Sequence, residues 1–136
     1  MILVDTGAFY ALASRNDKNH AAAASCARTL TEPLATHPLI LAEAWYLLES
    51  RLGRAAPRKL TEKVAAGAIA LLDIQPDDIG VALTIEARYG DLAIGLTDAV
   101  SFALCERERI TSVFTFDRRD FSAFRPSFAQ ALRLLP

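Results

Sequence analysis

Three acids stand where a short apolar run or a helix begins or ends, and a fourth interrupts an apolar run. Asp5 follows Ile2-Leu3-Val4, Glu43 lies within Leu41-Ala42-Glu43-Ala44, Asp98 opens Leu96-Thr97-Asp98-Ala99, and Asp117 follows Val113-Phe114-Thr115-Phe116. Two carboxylates about 5 Å apart at an effective dielectric of 20 repel by roughly 3 kcal/mol, so a cluster stays ionised only beside a cation or with shifted pKa values. A divalent ion removes that conflict. Hard Mg²⁺ or Mn²⁺ takes oxygen ligands and retains waters, which suits a carboxylate site with no His or Cys in it. Such an ion activates water and stabilises a departing oxygen, the chemistry of phosphodiester cleavage. No HExxH, GxSxG, Walker loop or dinucleotide glycine fingerprint occurs, so zinc-protease, serine-hydrolase, NTPase and nicotinamide chemistry have no support.

These acids are far apart in the chain, so the fold must gather them. Residues 2–4 read as a buried strand ending at Asp5, and 7–14 as a short helix. Asp17 is expected to cap a second, Ala-rich helix reaching about residue 30, with a strand at 33–36. From Leu39 the apolar residues Leu41, Ala44, Trp45, Leu48 and Leu52 recur at helical spacing until Gly53, which places Glu43 inside a helix. Pro57 suits the first turn of a helix to about residue 71, followed by a strand at 72–74. Asp77 or Asp78 is expected to cap the next helix to about residue 89, and Thr97 a helix to Arg109. The run 112–116 is the strongest strand; the tail after Asp117 reads as turns with a last strand at 132–135. Strands separated by helices make a parallel sheet covered on both faces. Its ligand crevice lies outside the carboxyl ends of the strands. Asp5 and Asp117 both stand at that edge, and they are neighbours if their strands pair.

The chain has 136 residues, 52% hydrophobic and 23% charged, enough for one domain over 1–136 with a sizeable core and too apolar for disorder. Fifteen Lys+Arg against sixteen Asp+Glu give a net charge of -1, without the basic footprint of a duplex-DNA binder. Cys26 and Cys105 sit in apolar runs with no CxxC spacing and read as buried thiols, not a disulfide or a zinc knuckle. No apolar run approaches the roughly 18 residues of a membrane span, and no basic region with a cleavage site opens the chain; a cytoplasmic protein is expected.

Each acid also has a purely structural reading. Asp5 could be the polar stop of a strand, Asp98 a first-turn acid favoured by the helix dipole, Glu43 a residue on a solvent face, and Asp117 with Asp120 turn chemistry. Asp91 reads as a loop acid, His20 as a first-turn partner of the Asp17 cap, and His37 as a loop histidine. Consecutive Trp45, Tyr46 and Leu47 point about 100° apart on a helix, so at least one leaves the core-facing stripe. Either Tyr46 is merely half exposed, or the first helix and the Glu43 helix flank an apolar groove for a protein partner.

The set Ile2-Leu3-Val4-Asp5-Thr6, Leu41-Ala42-Glu43, Leu96-Thr97-Asp98-Ala99 and Thr115-Phe116-Asp117-Arg118-Arg119-Asp120-Phe121 resembles the PIN domain. It resembles in particular the VapC-like toxins of bacterial toxin–antitoxin pairs, over the whole chain and in order. Asp17-Lys18-Asn19-His20 is similar to an Asp-x-x-His stretch these toxins carry. The resemblance implies a three-layer α/β/α sandwich around a short parallel sheet and a Mg²⁺- or Mn²⁺-dependent endoribonuclease held inactive by an antitoxin. It assigns Asp5, Glu43, Asp98 and Asp117 as catalytic acids, with metal on Asp5, Asp98 and Asp117. Thr6 and Thr115 become supporting hydroxyls and Asp120 a supporting acid. Arg118, Arg119 and Arg125 are candidates for phosphate contacts or else solvated surface arginines. The expected partners are RNA, a cognate antitoxin with an apolar helix, and a second copy of the chain. Two other readings remain: a Mg²⁺-binding phosphoacceptor module, disfavoured by the lone Asp5 and the lack of a strand-end Lys, and a non-catalytic protein-interaction domain.

Overall fold

Three aliphatic residues form the strand around which the sheet is laid. In the computed structural model, which describes residues 1–136, β1 (Ile2–Val4) is central, and its side chains are at most 1% exposed. Such a strand, buried on both faces, is apolar throughout instead of alternating. Parallel to it run β2 (Leu34–Thr36), β3 (Ala70–Leu71), β4 (Ser112–Phe114) and β5 (Arg133–Leu135), in the order β3-β2-β1-β4-β5. Val4 stands opposite Phe114, so Asp5 and Thr115 leave the sheet side by side.

The helices are α1 (Thr6–Ala13), α2 (His20–Thr29), α3 (Pro38–Leu52), α4 (Ala55–Ala65), α5 (Pro76–Arg88), α6 (Leu96–Glu108) and α7 (Arg118–Ala123). Right-handed crossovers send α1–α4 to one face, as the chain steps from β1 out to β3, and α5–α7 to the other, as it returns through β4 to β5. The expected three-layer sandwich is thereby formed. The direction of winding reverses between β1 and β4, the switch point where open α/β sheets leave a crevice.

Helix α6 is apolar on every side, with residues 99–105 all buried, as a helix enclosed by its neighbours must be. Phe102 stacks on Phe124 at 4.3 Å and meets Phe121 edge-on at 4.9 Å, fastening α6 to the tail segment that carries α7. On the opposite face an open, largely apolar groove of about 770 Å³ is lined by Phe9 and Leu12 of α1, Leu48 and Leu52 of α3, Leu60 of α4, and Val4 and Phe114 of the sheet. Lys59 and Lys63 also line it. Tyr46 is 76% exposed, whereas its neighbour Trp45 is half-buried and donates its indole N–H to Glu49 Oε2 at 3.2 Å.

Several boundaries differ from the sequence reading, each for a local reason. Helix α4 stops at Ala65 because Gly67 takes a left-handed φ of 76°, so the strand falls at Ala70–Leu71 and not at 72–74. Asp17 does not cap α2: its carboxylate accepts from Asn19 N at 2.8 Å, and the helix begins at His20. His20 meets Asp17 only through the backbone, its N–H donating to the Asp17 carbonyl at 3.0 Å, while its ring Nδ1 meets the Ala11 carbonyl at 2.7 Å and ties α2 to α1. Gln75, not Asp77 or Asp78, is the N-cap of α5; Asp78 returns a bond to the Gln75 N–H at 2.8 Å as the other half of a capping box. Gly95, not Thr97, precedes α6. The tail is not all turns: α7 forms directly after Asp117, and β5 falls where a last strand was expected. Cys105 is buried and Cys26 half-buried, both free, and no helix is long and apolar enough to cross a membrane.

Candidate metal centre and active site

Asp5 ends β1 and is the N-cap of α1, a position that suits a short acceptor side chain. Its Oδ1 accepts from Thr6 N at 2.7 Å and its Oδ2 from the Thr115 hydroxyl at 2.9 Å. The Thr115 Oγ1 in turn accepts from Asp117 N at 3.0 Å. Its single proton is therefore committed to Asp5 and its lone pair to the backbone of Asp117, so one buried hydroxyl fixes both strand-end acids. Asp117 caps α7, taking the Asp120 N–H on Oδ1 at 3.1 Å. One turn of helix then brings Asp120 back beside Asp117.

Oxygens of Asp98, Asp117 and Asp120 lie within 4.8 Å of one another. Asp98 reaches this group from the first turn of α6, where the helix dipole favours negative charge. The surroundings outweigh the dipole. Burial, followed by the charges of Asp5, Asp117, Asp120 and Glu43, pushes the Asp98 carboxyl up to about 7. Asp5 is also raised, by burial first and then by Glu43 and Asp117, against the lowering bonds from Thr115 and Thr6. Glu43 is exposed on α3; it is felt by both acids but stands outside the close trio.

The structure thus brings Asp5, Asp98 and Asp117 to one edge of the sheet and sets Glu43 at its rim. It also draws in Asp120, read from sequence only as a supporting acid, whose side chain is 3% exposed. The closest trio is Asp98, Asp117 and Asp120, not Asp5, Asp98 and Asp117. Asp91 is exposed in a 3₁₀ turn and takes no part. Of the three arginines, Arg119 lies on Asp120, whereas Arg118 donates to the Pro136 carbonyl and Arg125 to the carbonyls of Ser122 and Phe124.

His37 is not a loop histidine. It precedes α3 at the carboxyl end of β2, wholly buried, and burial pushes its pKa down to about 4. The Ser101 hydroxyl donates to the Thr97 carbonyl at 2.9 Å, so the His37 Nε2–H donates to Ser101 Oγ at 2.9 Å. That bond joins the start of α3, which carries Glu43, to α6 one turn beyond Asp98. The only sequence signal was a polar pair, Thr36-His37, between a strand and a helix-opening proline.

The donor set fits a hard divalent cation: all oxygens, several carboxylates, and one acid forced to hold its proton when no cation is at hand. The buried hydroxyl of Thr6, the residue after Asp5, has no partner in the protein, which leaves it available to a ligand at the site. A stability test follows from Asp98. Its proton is retained to about pH 7 when folded but only to about 3.8 when unfolded, so the folded state binds more protons across that window. Asp98 therefore costs the metal-free protein stability as pH rises from about 4 to about 7, while His37, held neutral down to about 4, adds stability as pH rises toward 6.5. The Asp98 contribution is read as the difference between the parent and Asp98→Asn, in which His37 cancels: in chelator the midpoint of the parent should fall relative to that variant between about pH 5 and about pH 8, with Mn²⁺ restoring it. A difference that does not change with pH would contradict a shared carboxylate cluster.

The PIN domain family model matches residues 2–125. Ribonuclease VapC26 of Mycobacterium tuberculosis (strain ATCC 25618 / H37Rv) is 32% identical over 135 residues, covering 99% of this chain and 100% of that protein. The 23S rRNA-specific endonuclease VapC20 of Mycobacterium tuberculosis (strain CDC 1551 / Oshkosh) is 31% identical over 129 residues, covering 90% and 93%. The crystal structure of Mycobacterium tuberculosis VapC20, described as a Sarcin-Ricin loop cleaving toxin, superposes over 100% of both chains with a TM-score of 0.85 at 23% identity. With the five-stranded parallel sheet, the acids at its switch point and these matches together, the chain belongs to the PIN-domain family, among the VapC ribonuclease toxins.

Proposed function

We propose that this chain, as one domain over 1–136, is a metal-dependent endoribonuclease that hydrolyses phosphodiester bonds in single-stranded or loop RNA. The observation that carries the reading is the meeting of Asp98, Asp117 and Asp120 within 4.8 Å, beside Asp5, at the carboxyl edge of the sheet. Asp98, Asp117 and Asp120, with Asp5, would hold Mg²⁺ or Mn²⁺. When bound, the ion supplies Lewis-acid stabilisation of the departing oxygen and a more acidic water. Thr115 holds the Asp5 carboxylate in one orientation, and the free Thr6 hydroxyl orients water at the site. Glu43, at the solvent rim, accepts a proton from the attacking water. Arg119 is the phosphate contact among the three arginines, since its guanidinium lies on an acid of the trio whereas Arg118 and Arg125 are bonded to backbone carbonyls.

The regulatory partner in this reading is an antitoxin, seated by an apolar helix in the groove between α1, α3 and α4. The active form is a homodimer in the cytoplasm, a compartment in keeping with two unpaired thiols.

Purified protein and a stem–loop RNA test the nuclease. Cleavage within the loop is expected with Mn²⁺ or Mg²⁺, none in excess chelator, and recovery on adding either metal back. Cleavage that survives chelation, or RNA left intact with both metals, would overturn the assignment. The phosphoacceptor alternative gains nothing from the fold, since no Lys lies at a strand end.

A further inference from the structure

Arg119 stands in the first turn of α7, directly beside the acids. Its side chain is 68% exposed, yet its guanidinium is directed onto an acid of the site. Nε donates to Asp120 Oδ1 at 2.6 Å and Nη2 to Asp120 Oδ2 at 3.2 Å, a fork that engages both oxygens of one carboxylate. Adjacent residues on a helix do not face each other, so the pair exists because the guanidinium folds back across the first turn toward the acids. Its charge is further held by Asp117 and Asp98. Asp120 is thus one corner of the closest carboxylate trio and at the same time the seat of a cationic fork.

The two uses of Asp120 conflict. The fork takes one in-plane lone pair on each Asp120 oxygen, which narrows a cation's access to that carboxylate, and a guanidinium beside a divalent ion adds like-charge repulsion. Building on the metal-nuclease reading, we propose that Arg119 is a resident counter-ion of this site: it neutralises Asp120 in the metal-free protein, yields Asp120 to the divalent ion, and then offers its freed fork to the scissile RNA phosphate. Metal loading and substrate capture are coupled in consequence, and the coupling is reciprocal: RNA that draws Arg119 away from Asp120 tightens the metal by the same factor. Exposure of the side chain keeps the coupling at the lower end of the usual range, about fivefold. The Arg119 side chain has the room to move, because its fork to Asp120 is the whole of that side chain's bonding.

The experiment compares the intact chain with Arg119→Gln and Arg119→Lys by calorimetric titration with Mn²⁺ alone, and by KM for a stem–loop RNA at saturating Mn²⁺. Arg119→Gln is expected to bind Mn²⁺ about fivefold more tightly while KM rises about tenfold. Arg119→Lys, which keeps the charge but not the fork, should fall between. The signs are opposite, and a merely structural Arg119 would not produce both. If the parent binds millimolar Mn²⁺ and Arg119→Gln binds it equally or less tightly, the counter-ion role is wrong and the nuclease reading stands. If the parent takes up no Mn²⁺, the metal-site reading fails and this proposal with it.

Discussion

Asp98→Asn is expected to fold as the parent does and to cleave RNA at least about 10³-fold more slowly. Asparagine keeps the shape of the side chain in the first turn of α6 but carries no charge, so the cluster loses an anionic oxygen. Charge stabilisation by a bound metal is worth several kcal/mol of the barrier. At 1.36 kcal/mol per tenfold, losing about 4 kcal/mol of it gives the stated factor. Stability should move the other way. Burial and four neighbouring acids hold the Asp98 carboxyl up at about 7, so at neutral pH and above the native charge is in conflict with its surroundings. Removing it raises the thermal midpoint in chelator and abolishes the rise that Mn²⁺ gives the parent. Single-turnover cleavage at saturating Mn²⁺, alongside thermal unfolding with and without the metal, reads both. Cleavage within tenfold of the parent would remove Asp98 from the site.

Leu52→Glu is expected to abolish capture of the antitoxin and to leave RNA cleavage intact. Leu52 lines the groove at the end of α3 and is 38% exposed, so the new carboxylate disturbs the docking face and not the core. An apolar helix seated there would have to bury that charge against Phe9, Leu12, Leu48 and Leu60, lining that is mostly hydrocarbon. Loss of a central apolar anchor costs 2 kcal/mol or more, about 30-fold or greater in affinity. Lys59 and Lys63, four residues apart on α4 and so on one side of it, favour a partner helix with acidic residues along its edge. Any small protein encoded immediately upstream is the proposed partner to co-express. It should co-purify with the parent and not with Leu52→Glu, and light scattering of the parent alone should give twice the chain mass. A monomer at tens of micromolar that ignores that neighbour would end the partner proposal without touching the nuclease.

The acids were readable where regular structure placed them. Asp5 stops β1, and Asp117, expected to stop its strand, lies three residues beyond β4 as the N-cap of α7; a parallel sheet with helices between its strands puts both at one edge, and pairing of β1 with β4 brings them to the shared Thr115 hydroxyl. Asp98 was readable as a first-turn acid of an apolar helix. Asp120 was undervalued because α7 spans only six residues, too few for periodicity to show, and without that helix nothing returns Asp120 toward Asp117. His37 was missed for another reason. Its burial depends on α6, and its partner Ser101 is 64 residues away, so no local pattern could place it. The end of α4 was legible in principle, since Gly67 is the residue able to take its left-handed turn cheaply, but the alanines around it prolong an apparent helix.

The acidic site has one further property, which comes from the order of the strands. Asp5 is made among the first residues, but its strand finds a neighbour on one side only when residues 112–114 arrive, and the Asp117–Asp120 turn follows them. A chain still growing on the ribosome carries Asp5 and Glu43 with nothing to close against. Pairings of such long sequence separation come at a high entropic cost and late in folding. The nascent chain therefore lacks its complete carboxylate cluster until residues 112–120 are made, and a fragment cut before Asp117 has neither Asp117 nor Asp120 with which to complete it.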